Sequence, residues 1–191
     1  MLKGTGLIGE APGRGGAIMA TTENRMARAF GLRGDAWLRH ANPWSVYTRI
    51  PIPAALTAAV WSRTWIGWWS LVPIVLVCLW TAVNPRAFPP PRSLDHWASK
   101  AVLGETLWSA RKTVPVPRAH RRAPLLLLAL NSLGLPIVVW GLVVLDFWMV
   151  ATGLAIHMAG KNWFLDRMVW LYDDVAQNDV SENTALPEGT P

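Results

Sequence analysis

His157 is the residue whose type and setting most invite chemistry. It stands in an apolar run with Gly153 one turn before it and Gly160 one turn after it. An ionisable group set among apolar neighbours is expensive, which makes it a candidate for function. A neutral imidazole there could ligate a haem iron or the magnesium of a chlorin, with Gly153 leaving room for the macrocycle. The competing reading is an imidazole hydrogen-bonded within its own helix bundle. His157 and Gly153 are therefore the candidate cofactor-binding pair. No particular cofactor is assigned; pigment, quinone or lipid at helix interfaces are the classes left open.

The other chemically capable residues point to structure rather than catalysis. Asp146 is the only acid within the apolar runs, and its place at a turn favours capping the next helix over relaying protons. Cys78 is the only cysteine, so one copy can build neither a disulfide nor a cysteine metal site. Asp95, His96 and Glu105 could bind a metal, but their spacing does not put all three on one helix face, and no metal is assigned. Asp166 and Arg167 read as a charge pair at a membrane boundary. No HExxH, GxSxG, Walker, glycine-rich dinucleotide or paired-cysteine motif occurs. No catalytic residue is assigned, and the chain is not expected to be an enzyme.

The elements that must position these residues follow from two apolar blocks, residues 50–83 and 124–159. As a single helix either block would reach roughly 50 Å, against a hydrocarbon core of about 30 Å, so each should fold back as a hairpin. The expected fold is all-α and polytopic, with four transmembrane helices in two hairpins and interfacial helices on the cytoplasmic side. It divides into an N-terminal arm (1–45), a first hairpin (46–83), a loop with an amphipathic helix (84–123), a second hairpin (124–164) and an acidic tail (165–191). The crossings fall at about 46–62, 65–83, 125–142 and 147–164. Arg49 must snorkel, and Pro73 should kink the second crossing.

Within the arm, Thr22 and Asp35 can cap short interfacial helices, and Met19 is a candidate start residue. In the loop, Ser93 can cap a helix running to about Lys112. Trp97, Ala101, Gly104 and Trp108 would form its apolar stripe, covering lipid or docking on a partner. The tail after Tyr172 carries five acids and no base and is expected to be largely disordered.

Eighteen basic residues against twelve acidic ones give a net charge of +6. The bases flank the apolar blocks, so they imply topology rather than nucleic-acid binding. By the positive-inside rule both termini and the central loop face the cytoplasm, in a multi-pass protein of the inner membrane. Thirteen tryptophans fit interfacial belts. Trp61, Trp65, Trp68 and Trp69 gather at the first hairpin turn, and Trp140 and Trp148 flank the second. With Trp97 and Trp108, they are the candidate contacts to a partner.

Three segments carry a resemblance: WLRHANPWSV at 37–46, NPRAFPPP at 84–91 and GKNWFLDRMVWLY at 160–172. They resemble a family of small, tryptophan-rich prokaryotic integral membrane proteins of uncharacterised function. The resemblance implies a four-helix membrane architecture and names no reaction. It also implies that a shared site would lie on the cytoplasmic boundary, where Asn42, Asn84, Lys161, Asn162, Asp166 and Arg167 are the polar candidates.

The leading expectation is a non-catalytic accessory subunit of a larger membrane complex, of photosynthetic reaction-centre or respiratory type. Its partners would be membrane lipids and other integral subunits, met through tryptophan-rich and small-residue helix faces. The alternative is a small transporter or channel acting as an oligomer, with His157, Asn131 and Asp146 along its path.

Overall fold

A computed structural model of the chain describes residues 39–112 and 116–185. The expected arm helices at Thr22 and Asp35, and Met19, lie outside them. The described residues are helical, with no strand among them. Two stretches, Pro43–Ala87 and Arg118–Val144, are long and apolar enough to cross a membrane.

The first stretch is broken. Helix α1 (Pro43–Arg49) stops before Pro51, and α2 (Ile52–Trp61) resumes with prolines at its start. There a missing amide proton removes no helical hydrogen bond. A short helix α3 (Arg63–Ile66) ends at Gly67, whose φ of +53° is one that side-chain-bearing residues rarely adopt. One 3₁₀ turn later, α4 (Leu71–Ala87) begins. Two sequence expectations are thereby corrected. The segment 46–62 is two helices rather than one, and Pro73 produces no mid-helix kink because Gly67 delays the start of α4 and leaves Pro73 in its first turn.

Helix α5 (Trp97–Ser109) follows, then a 3₁₀ turn (Arg118–His120), α6 (Ala123–Val144) and α7 (Phe147–Ala185). The start of α5 differs from expectation. His96 is its cap, its Nδ1 accepting from the Ala98 amide at 3.3 Å, while Ser93 and Asp95 close a turn upstream. Asp146 caps α7 as expected, its Oδ1 accepting from the Met149 amide at 2.9 Å. Leu145 makes the tight reversal in the left-handed region, at φ +56°.

Helices α6 and α7 touch backbone to backbone. A Cβ added at Gly134 would lie 2.5 Å from the Gly153 carbonyl, and one at Gly160 would lie 2.6 Å from the Asn131 nitrogen. Gly134 and Gly141 on α6, and Gly153 and Gly160 on α7, are each spaced seven residues apart; Gly134 faces Gly153, while Gly141 faces Val150 and Gly160 faces Asn131. Small residues let the two backbones come close enough for dispersion contacts to join the helices.

The densest core lies beyond this hairpin, between α5 and the continuing α7. Ala101, Leu103, Leu107, Phe164, Met168 and Leu171 are all at most 1% exposed. Gly104 permits the contact, since its Cβ would fall 1.8 Å from the Met168 carbonyl oxygen. The stripe predicted to cover lipid or a partner is thus used within the chain. Trp108 meets Phe164 edge to face, and the Trp97 indole donates to Asp166.

The tail expectation is corrected as well, because α7 runs on through Ala185. Two of its acids meet bases from elsewhere: Lys100 pairs with Asp173 at 2.8 Å and His120 with Asp174 at 2.6 Å. Composition alone suggested a solvated tail; long-range pairing removes part of the repulsion among its carboxylates.

Candidate functional site

The polar residues singled out in the sequence fall into two groups at one end of the molecule, opposite the end bearing Trp65, Trp68 and Trp69. The first group is a set of staples. Asn42 caps α1 by accepting from the Trp44 amide at 2.9 Å, and its Nδ2 donates to the Pro89 carbonyl at 2.8 Å. Asn84, fully buried, accepts from the Ser45 hydroxyl at 2.9 Å and donates to Thr48 Oγ1 at 2.7 Å. Ser99 donates to the Ala41 carbonyl at 2.7 Å, and Tyr47 stacks on Trp97. A buried amide satisfied on both sides locks geometry, because leaving either atom unpaired is costly. Asn42 and Asn84 are therefore joints that hold α1 to α4 and to the segment after it, while Ser99 and the Tyr47–Trp97 stack fasten α5.

The second group lines a cavity of about 410 Å³ between α1, α2, α5, α6 and α7. Val46, Ile50, Pro53, Val102, Met158 and Leu165 form its apolar walls, and Arg49, Glu105, Asn131, His157, Lys161 and Asn162 supply its polar groups. Concave, mostly apolar sites with a few convergent polar groups are where small ligands bind. Arg49 turns back toward the chain before α1, donating from Nε to the Ser45 carbonyl at 3.0 Å and from Nη2 to the His40 carbonyl at 2.8 Å. Lys161 reaches Glu105 only at 3.5 Å, longer than a well-formed charged hydrogen bond.

His157 is 9% exposed, and its Nδ1 lies 3.0 Å from the Asn131 carbonyl oxygen. A carbonyl only accepts, so Nδ1 carries the proton and, in the neutral ring, Nε2 presents a lone pair. The Asn131 side-chain oxygen is buried with no partner among the described residues. The macrocycle expectation meets an obstacle at Gly153. The space its missing side chain leaves is occupied by α6, since a Cβ there would lie 2.6 Å from the Val138 nitrogen. Gly153 serves helix packing.

Residues 21–189 match a family of unknown function, DUF6653. The chain belongs to this family. No curated protein and no solved structure matches it.

The DUF6653 match spans both asparagine staples and every residue lining the cavity. The remaining candidates are dispersed. Asp166 accepts from Trp97, and Arg167 lies over the Trp170 ring at 4.7 Å, so these two do not form the pair read from their adjacency. Asp146 sits at the opposite end of α7, eleven residues or roughly 16 Å along the helix from His157, so the three residues named for a transport path do not come together. Trp65, Trp68, Trp69, Trp140 and Trp148 are all at least 60% exposed, while Trp61 meets Phe147 edge to face. No cluster of metal-capable side chains occurs among the described residues.

Ser45 and Thr48 escaped the sequence reading, as did the role of Glu105 in the cavity. A signal was available for the first two: Asn42, Ser45 and Thr48 recur every three residues, which sets the cap and two hydroxyls of α1 along one side.

Proposed function

We propose that this DUF6653 protein is a non-catalytic subunit of the inner membrane, crossing it four times with both termini cytoplasmic, and that it assembles with another membrane protein through helix α4. The crossings in this reading are α1 with α2, then α4, α6 and the first half of α7. The flanking bases set the orientation by the positive-inside rule.

The observation that carries the proposal is the uncovered face of α4. Val72, Leu76, Leu79 and Val83 are each between 51% and 60% exposed. They follow a four-three-four spacing, the register of a helix–helix seam. Lipid alone requires apolar character and no particular register, whereas a seam of branched side chains fits the grooves of a second helix. No polar residue interrupts the stripe.

Cys78 supplies the test, because it is exposed on the same helix and is the only cysteine. A photoreactive maleimide placed on Cys78 in native membranes should cross-link the chain to one protein of defined mass, identifiable by mass spectrometry. Adducts with lipid alone, together with purification in mild detergent as a lone chain, contradict the proposal.

A further inference from the structure

The cavity between α1, α5, α6 and α7 has a chemical signature that a structural gap lacks. Its charged lining is Arg49 and Lys161 against Glu105, an excess of one positive charge. Neither cation is saturated by the described residues: Arg49 uses Nε and Nη2 and leaves Nη1, and Lys161 holds Glu105 only at 3.5 Å. An anion is the complement of that pair.

The second half of the signature concerns acceptors. With Nδ1 committed to the Asn131 carbonyl, Nε2 of neutral His157 accepts a hydrogen bond, and Glu105 is an acceptor as well. A phosphodiester or a carboxylate without hydroxyls has no hydrogen to donate to these groups. The complement is an anion that also carries hydroxyl donors.

The third observation is where the cavity lies. On α7, uncharged residues 147–160 give way at Lys161 to charged ones, and the cavity straddles that junction, with His157 and Met158 on one side of it and Lys161, Asn162 and Leu165 on the other. In the membrane reading adopted above, that is the depth of lipid phosphates. Its apolar walls, Val46, Ile50, Pro53 and Met158, suit the first carbons of acyl chains.

We infer that the cavity binds one anionic glycerophospholipid with a polyol headgroup, of the phosphatidylglycerol class. Its phosphate meets Lys161 and Arg49, and its headgroup hydroxyls donate to His157 Nε2 and Glu105. The inference rests on the membrane reading but not on the α4 partner, so either can fail alone.

The test is native mass spectrometry of the full chain in mild detergent. It is titrated separately with phosphatidylglycerol, phosphatidic acid and phosphatidylcholine of the same acyl chains, and with soluble glycerol 3-phosphate. One phosphatidylglycerol should bind about tenfold or more tightly than phosphatidylcholine, whose phosphate is already neutralised by its own ammonium, a cation that the net positive lining of Arg49, Lys161 and Glu105 disfavours and that has no hydroxyl to donate. Glycerol 3-phosphate, lacking acyl chains, should not bind over the same range. Lys161→Met should remove most of the preference for phosphatidylglycerol over phosphatidylcholine. His157→Phe should instead abolish the preference for phosphatidylglycerol over phosphatidic acid, which lacks the headgroup hydroxyls. Arg167→Met, on a base that lies over Trp170, should change neither. The inference is overturned if phosphatidylcholine binds equally, if Lys161→Met leaves the preference intact, or if glycerol 3-phosphate competes at lipid concentrations.

Discussion

The two hairpins are built from similarly apolar residues and are held together by different means. Between α6 and α7 the backbones touch at four glycines, Gly134 against Gly153, Gly141 against Val150 and Gly160 against Asn131, and the hairpin needs nothing outside itself to define its geometry. The hairpin of α2 and α4 buries only Ala59 and Asn84 among its helical residues, and its staples sit at one end. Only 6% of the apolar window in the first stretch is buried within the chain, against 22% in the second. Apolar composition makes a segment suitable for a membrane, but it does not say whether the segment completes a fold. Glycine placement is what separates the two hairpins here.

The largest effect that would break this contrast lies where backbones meet. Gly104→Val would put a side chain into the Met168 carbonyl and force α5 from α7. Losses of about 3 kcal/mol or more, read by denaturant unfolding in detergent, are expected. Gly134→Leu should do the same within the α6–α7 hairpin. A variant at either position that unfolds with the wild type would contradict the backbone contacts.

The staples come next. Asn84→Ala leaves Ser45 and Thr48 without their buried partner and should cost about 2 kcal/mol in the same unfolding measurement. If stability is unchanged, the amide is not the joint of the first hairpin. Asp146→Ala removes a helix cap and should cost about 1 kcal/mol. The smallest effect on stability should come from Leu76→Ala combined with Leu79→Ala. On an uncovered face this pair should stay within about 0.5 kcal/mol of wild type, while abolishing the cross-link from Cys78.

Much of this was legible in the sequence where the physics is local. The two long apolar blocks and the cap at Asp146 follow from composition and spacing along one segment. What escaped depends on residues far apart in sequence. The stripe of α5 looked like a lipid-facing surface because nothing nearby shows that α7 continues past Phe164 and lays Met168 and Leu171 across it. The acids of that continuation looked solvated because Lys100 and His120, which pair with Asp173 and Asp174, lie more than fifty residues away. Pro73 read as a kink because the break at Gly67 that moves it into a first turn has no periodicity signature. The cavity was half legible: His157, Lys161 and Asn162 drew notice separately, but only folding brings Arg49 and Glu105 to them.

The measurement that bears most directly on the account is photocross-linking from Cys78 in native membranes, comparing the wild type with the Leu76→Ala, Leu79→Ala variant. A single protein adduct of defined mass is expected in the wild type, and its loss in the equally stable variant. An adduct that persists unchanged in the variant, or lipid adducts alone in both, would contradict the claim that the first hairpin is completed by another protein.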